Sequence, residues 1–456
     1  MDTTKPLSIA IAGGGIGGLC LAIGLLSQPH LKISIYEAAP AFSEIGAGLN
    51  IGPNSQRALA LISPQAEEAF INQRTSNGSP ELKKAFCEYR YGRKGEREGE
   101  LLGVVENETG AQSVHRARFL DELVKCIPEG MAQFGKRLTH VEELGPDEGI
   151  ILRFADGSTA KADCLLGADG IHSATRQHIL GATHPAAKPV FTGTVSHRGL
   201  IPMEKARESI GRFADDMRAW CGEGGMVMTY PIDFGDTLNV AAIRDGISSW
   251  DYPQFVVPVD GDECRRQYPD WGDIPMKILN LLEKPNKWAM LHHLPAPRYN
   301  SGRIAIMGDA AHASTPYQGA GVSQAIEDAL VLSTLFQHVK AIRDIAPALS
   351  AYDAVRRPRS QKVVETSRET MGLYSFSDDF VKGDRELWMK AWEGRMDWIW
   401  DVDLVKQNEE AVKLFRDVVE NGSTAVNTVG EDKSRSMESS SGGSLRLEAS
   451  GRGSRL

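Results

Sequence analysis

The chain lacks an excess of basic charge, closely spaced cysteines and long apolar runs. Lys and Arg number 51 against 60 Asp and Glu, a formal net charge of −9. That balance leaves no basic footprint for nucleic acid or anionic lipid. The six cysteines, at positions 20, 87, 126, 164, 221 and 264, form no C-x-x-C pair. Their spacing argues against a disulfide framework and a metal site, so buried free thiols in a reducing, cytoplasmic compartment are expected. The longest apolar run, near Leu19 to Leu26, is too short to span a bilayer. The N-terminus leads directly into an apolar strand, so no removable signal peptide is expected. What is present is ordinary globular composition, 41% apolar and 24% charged, in a chain of 456 residues. That length accommodates two or three domains and a large core.

The most informative stretch is Ser8 to Glu37. Ser8-Ile9-Ala10-Ile11-Ala12 reads as a strand, Gly13-Gly14-Gly15-Ile16-Gly17-Gly18 as a turn, and Leu19 to Leu26 as a buried helix. A second strand, Ile33 to Tyr36, ends on Glu37. Gly13, Gly15 and Gly18 therefore satisfy G-x-G-x-x-G with a strand before and a helix after, the context that gives this motif meaning. The glycines allow a tight turn, close backbone approach to a pyrophosphate, and close helix–strand packing. The free N–H groups and positive dipole end of the helix suit phosphate. Glu37 stands 19 residues beyond Gly18, where a carboxylate can accept hydrogen bonds from the hydroxyls of an adenosine ribose. A glycine-rich turn without a ligand is the plainer alternative, and the context with the acid favours a nucleotide.

Further along, residues 38–54 form a shaped Gly/Pro/Asn loop at a strand's carboxyl end, where ligands bind. Arg116 opens an amphipathic helix and could meet a phosphate, although locally it reads as a solvated surface arginine. A hairpin on Asp156-Gly157 leads to the strand Cys164-Leu165-Leu166 and the turn Gly167-Ala168-Asp169-Gly170. There Asp169, read alone, is a helix cap. From about 185 to 295 the pattern alternates with period two, over Phe191–Leu200, Met226–Pro231 and Thr237–Arg244, which indicates a separate antiparallel sheet. Arg198 and Tyr230 lie on these strands and by default are ordinary sheet residues. At Arg303 the first pattern returns: a strand, the exit Gly308-Asp309, a glycine-rich approach containing Pro316, and a helix beginning at Val322. This reads as a second ligand loop. Residues 340–420 are helical, and the Ser/Gly/charge-rich stretch 421–456 is expected to be disordered.

Three ligand stretches thus follow in order: the glycine turn with Glu37, Gly-Ala-Asp-Gly at 167–170, and Gly-Asp at 308–309. With the runs Glu44-Ile45-Gly46-Ala47-Gly48 and Gly308-Asp309-Ala310-Ala311-His312, they resemble the single-component flavoprotein aromatic hydroxylases, in particular fungal enzymes of salicylate-hydroxylase type that act on phenolic acids and polyketides. The resemblance implies an α/β fold. A Rossmann-like FAD-binding domain (1–184 and 296–340) carries an inserted antiparallel-sheet substrate domain (185–295), followed by C-terminal helices (341–420). It implies FAD as cofactor and NAD(P)H as co-substrate, the latter without a domain of its own. Glu37 would hold the adenosine ribose, and Gly48 would contact the flavin. Arg116 would reach the FAD phosphate or ribityl chain, which reverses its local reading. Asp169 would serve FAD and nicotinamide, and Asp309 would bond the ribityl chain. Pro316 would sit beside the reactive ring edge, with the Val322 helix aimed at the flavin. Arg198 and Tyr230 would hold a substrate phenolate. The implied reaction is hydroxylation of a phenolic substrate by NAD(P)H and O2 through a flavin hydroperoxide, with decarboxylation or ring dearomatisation as variants and a flavin oxidase or dehydrogenase of the same fold as the alternative. No nucleic-acid partner and no membrane insertion are expected, and a monomer or homodimer is.

Overall fold

The computed structural model of this protein describes residues 6–42, 48–145, 148–379 and 381–421. Of the stretch 421–456 expected to be disordered, Asn421 is the last residue of a helix and 422–456 lie outside those residues, as does the run Glu44 to Ala47. The apolar segments Leu7–Ala12 (β1) and Leu31–Tyr36 (β2) pair in parallel, and Ile16–Leu25 (α1) connects them. Parallel strands are covered on both faces, so they read as continuous apolar runs. Cys164–Gly167 (β3) joins β1 in parallel, with Ala12 opposite Gly167, and Ile304–Ile306 (β4) joins β3, with Gly167 opposite Ile306. Three strands thus end in one row. Carboxyl ends of parallel strands are where ligands bind in such sheets, so the expected ligand stretches share one crevice.

Gly321–Phe336 (α2) packs along α1. The contact is a seam of small residues: a Cβ on Gly17 would lie 3.1 Å from the Ala325 Cβ, and one on Gly24 would lie 2.7 Å from the Ser333 Cβ. Glycine is what lets the two backbones come this close. Ile342–Tyr374 (α3) follows, then Arg385–Trp392, Asp397–Trp400 and Leu404–Asn421, so the expectation of helices here is met.

The second sheet has eight strands, and Val190–Pro202, Thr237–Arg244 and Gly225–Ile232 lie side by side within it, antiparallel as expected. It also recruits Ala85–Tyr91 and Leu101–Glu106, from well before residue 185. That pairing is set by tertiary contacts, which local pattern does not encode. Alternation along the strands gives the sheet two different faces. Val227, Leu238, Val240 and Ala242 build the back face against Cys264, Tyr268 and Trp271. Met226, Met228, Tyr230 and Ile243 look the other way, toward the side built by Tyr317, Tyr374, Trp388, Trp392 and Trp400. Arg198 is in register with Ala241, and Ala241 with Met228, which puts Arg198 on this front face. Among the described residues no helix is long and apolar enough to cross a membrane.

Candidate active site

The turn after β1 is built by its glycines. Gly13 has φ +105°, and a Cβ there would lie 2.2 Å from the Ala168 carbonyl oxygen. A Cβ on Gly18 would lie 2.2 Å from the Gly13 carbonyl oxygen. No side chain can enter either contact, so the turn closes tightly and draws the Gly167–Gly170 segment against it. Gly15 is half-buried and is the N-cap of α1, and no side chain caps the helix. The first-turn N–H groups are therefore left to an outside acceptor. Glu37, half-buried at the end of β2, accepts hydrogen bonds from the Gly14 and Ala39 amides, each at 2.7 Å. Gly13, Gly15, Gly18 and Glu37 thus form one lip.

The second loop reaches the same place. Gly308, two residues beyond β4, has φ +56°, and its amide donates to Asp328 Oδ2 at 2.9 Å. Asp309 follows, exposed. The helix α2 begins at Gly321, one residue before the expected Val322, and Ala320 provides no side-chain cap. Val322 is the second residue of this first turn and is half-buried. The seam contact between Gly17 and Ala325 puts the uncapped starts of α1 and α2 next to each other. Pro316 is exposed and opens the turn Pro316–Gln318. The loop is pinned from α3, where Ser367 Oγ donates to the Thr315 carbonyl at 2.6 Å and Tyr374 Oη to the Tyr317 carbonyl at 2.8 Å. The Asp169 carboxylate accepts from the Ser173 hydroxyl and from the Thr175 amide and hydroxyl. The cap of the helix that follows, Ala174–Leu180, is Ser173, whose hydroxyl accepts from the Arg176 amide, so Asp169 braces the cap rather than being it. Burial raises the Asp169 pKa, and those hydrogen bonds pull it part of the way back.

The front face of the large sheet closes the other side. A Cβ on Gly48 would lie 2.5 Å from the Tyr230 ring, so the shaped loop and Tyr230 are in contact. Arg198 is half-buried, its Nε donates to Ser196 Oγ at 3.4 Å, and its guanidinium lies 5.1 Å from the Trp288 ring centroid. Among the described residues no carboxylate pairs with it. Burial lowers its pKa, as does Arg116, while Tyr230 and Tyr317 raise it. All four groups therefore lie within electrostatic reach, with Arg116 as the first residue of its helix. Burial pushes the Tyr230 phenol up to about 12, with Arg198 pulling the other way. Tyr230 is thus a neutral hydrogen-bond donor at ordinary pH. A stable cation beside a neutral donor suits a bound oxyanion.

Two features were missed in the sequence. Tyr317, next to Pro316, is buried, and its hydroxyl has no hydrogen-bond partner of good geometry. A cluster behind α2 centres on fully buried Arg356. It donates to Asp328 Oδ1 at 2.8 Å, to Gln324 Oε1 at 2.8 Å and to Glu327. Arg359 and Asn54 also bond Glu327, each at 2.7 Å, and His312 Nε2 bonds Asp328 Oδ2 at 2.6 Å. Through Asp328 this cluster holds the Gly308 amide and so the Asp309 loop. Period-based reading missed it because buried charges at helical spacing look like a solvated face. Among the described residues, no group of His, Cys, Asp and Glu is disposed to hold a metal ion.

Comparison with known proteins agrees with this geometry. The FAD binding domain family matches residues 248–367. The chain is 57% identical over 431 residues to a 6-methylsalicylate 1-monooxygenase of Aspergillus terreus, covering 94% of this chain and 97% of that one. It is 36% identical over 421 residues to a salicylate hydroxylase of Pseudomonas putida, covering 89% and 94%. A solved salicylate hydroxylase substrate complex superposes with a TM-score of 0.81 at 34% identity, covering 90% of this chain and 98% of that one.

Proposed function

The chain belongs to the FAD-dependent aromatic hydroxylases of salicylate-hydroxylase type, and from that membership we propose that its substrate is a phenol bearing a carboxyl group ortho to the hydroxyl, as in 6-methylsalicylate. The observation that carries the reading is Arg198, a half-buried cation with no carboxylate partner among the described residues, beside Tyr230 and near Arg116. A small aromatic anion satisfies it. The reaction we infer puts one oxygen atom of O2 on the carbon bearing the carboxyl. That carboxyl leaves as CO2, NAD(P)H supplies two electrons, and the second oxygen atom leaves as water.

The residues present fit FAD. The cradle at Gly13 admits no side chain, and two adjoining helix N-termini await an acceptor. Gly13, Gly15, Gly18 and Glu37 would hold the adenosine and pyrophosphate end. Arg116, Asp169 and Asp309 would hold the middle, and Gly48, Pro316 and Val322 would border the ring. When bound, FAD accepts electrons from NAD(P)H and activates O2 for transfer of one atom. The chain's own part is positional and electrostatic. Arg198 holds the substrate oxyanion, because a phenolate ring is far more electron-rich than a phenol. Tyr230 donates to that oxygen and fixes the ring's orientation. The start of α2 favours negative charge on the adjacent cofactor.

The test is NAD(P)H consumption by the FAD-loaded protein against phenolic acids and simple phenols, with CO2 and peroxide quantified. Consumption stimulated by ortho-hydroxy acids, with stoichiometric CO2, is expected. Stimulation only by phenols without a carboxyl group, or hydroxylation without CO2, sinks the decarboxylative reading.

A further inference from the structure

Strand register turns the front face of the large sheet into a grid, in which the residues that stand side by side are fixed. Arg198 is opposite Ala241, Ala241 opposite Met228, Met228 opposite Ala219, and Ala219 opposite Tyr89. Neighbouring strands lie about 4.8 Å apart, so Arg198 to Met228 spans about 10 Å, room for one substituted benzene ring. Arg198, Ala241 and Met228 are half-buried, although strands flank all three on both sides. Ile243 and Met226, in the adjacent row, are buried, and so is Ala219. The face is therefore open above Arg198, Ala241 and Met228 and filled beside them. The two ends of this row differ. Arg198 brings a cation, whereas Met228 packs in the apolar cluster that holds Met226, Ile243 and Tyr89. Met228 also stands between two alanines, so no neighbour in its row holds its side chain in one position. Tyr89 closes the row, with its ring 4.9 Å from that of Trp388 and 5.4 Å from that of Trp392.

We propose that Ala241 and Met228 form an alkyl subsite: it receives an alkyl group on the edge of the substrate ring that faces away from Arg198, and it accepts chains longer than methyl. The inference rests on the phenolic-acid reading above. With the oxyanion on Arg198, a ring laid along the row passes over Ala241 and reaches Met228. Ala241 ends at its Cβ, and a larger side chain there would fill the space that the ring needs. At Met228 an alkyl group gains by leaving water. A hydroxyl or a second carboxylate would lose its hydrogen bonds there, which is costly. Methionine is unbranched and adapts to irregular gaps. A longer alkyl group therefore pushes the Met228 thioether toward Ala219 instead of meeting a fixed wall. Arg198 and Tyr230 set which oxygen is held, and Ala241 and Met228 set what the rest of the ring carries.

The test compares kcat/KM of the FAD-loaded full-length protein for salicylate, 6-methylsalicylate and 6-propylsalicylate, with CO2 quantified. The unmodified protein should favour both alkylated acids over salicylate, by about tenfold for the methyl group, the scale of one carbon in an apolar pocket. Met228→Gln, similar in size but polar, should lower the ratio of 6-methylsalicylate to salicylate by about tenfold. Met228→Ile should keep the methyl preference and lower the ratio of 6-propylsalicylate to 6-methylsalicylate by about tenfold, because a β-branched side chain does not turn aside. Ala241→Val should lower the ratio to salicylate for both alkylated acids. A merely structural role of either residue changes all three acids alike and leaves the ratios in place. Unchanged ratios in Met228→Gln and Ala241→Val, or a preference of the unmodified protein for salicylate, overturn the subsite and leave the phenolic-acid reading standing. No CO2 from any of the three acids overturns that reading and the subsite with it.

Discussion

Arg356 and Arg198 are both withdrawn from bulk water, and their surroundings differ in kind. Arg356, behind α2, is saturated: Glu327, Asp328 and Gln324 all accept from its guanidinium. Arg198, on the front face of the eight-stranded sheet, has a serine hydroxyl and an aromatic ring. Burying a charge is costly unless it is paired. The first arginine meets that cost within the chain and so belongs to the scaffold. The second leaves it to be met by whatever enters. Burial with partners thus marks architecture, and burial without an anion marks a binding place.

The sharpest way to break this comparison is to remove each guanidinium in turn. Arg356→Ala leaves Glu327 and Asp328 buried without their cation, which should destabilise the protein by about 3–5 kcal/mol. Thermal unfolding of the FAD-loaded protein should show it, together with FAD loss through the Asp328–Gly308 contact. An unchanged Tm would mean that Arg359 and His312 suffice. Arg198→Ala should leave the Tm and bound FAD intact and lower kcat/KM by about 10²-fold or more, the scale of losing a desolvated charge partner. Normal turnover in that variant would show that another cation holds the substrate. Asp309→Ala sharpens the contrast from the cofactor side. Loss of an exposed carboxylate proposed to bond a ligand hydroxyl should weaken FAD retention about tenfold with little effect on stability, and unchanged FAD affinity in equilibrium dialysis would remove it from the site.

Acid gives the smallest and most graded test. Burial works to raise the carboxyl pKa of both Glu327 and Asp328. Arg356 and Arg359 overcome it at Glu327, and His312 and Arg356 at Asp328, so both end below the usual range. A depressed folded-state pKa contributes stability that is present above the unfolded value and lost as pH falls through the folded one. Stability should therefore decline as pH drops below the ordinary carboxylate range near 4, and this limb should shrink in Arg356→Ala. Denaturant midpoints from pH 7 downward would show it. Identical acid limbs in the two proteins would refute the cluster's role.

The cofactor half was legible because its chemistry is local in sequence. Gly13, Gly15, Gly18 and Glu37 sit within one strand–helix–strand unit, and each glycine has a steric reason that short-range pattern captures. The strand–loop–helix pattern around Asp309 was legible in the same way. The substrate half was less legible. His197 and Arg198 are neighbours on one strand and point to opposite faces. His197 bonds Tyr268 at 3.1 Å in the back core, where burial lowers its pKa to about 4. Arg198 turns to the site. Alternation says that the two differ, but not which face meets the ligand. That depends on strands such as Ala85–Tyr91, whose partner Arg218–Gly222 lies far along the chain. Tyr317 was overlooked next to a residue that was not, because an unsatisfied hydroxyl is visible only once its surroundings exist. Arg356 was hidden because its carboxylates come from another helix.

The glycine seam between α1 and α2 has a mechanical consequence. Gly17 and Gly24 are seven residues apart, about 10 Å along the axis, and at both points the two helices touch with no side chain to yield. Two such contacts stop the helices from rocking as well as from sliding. The pair is a stiff beam with a fixed span between its two open ends. A molecule grasped at both ends is held to that length, and a bulky residue at Gly24 would alter the span from the far end of the lever, without touching anything that is grasped.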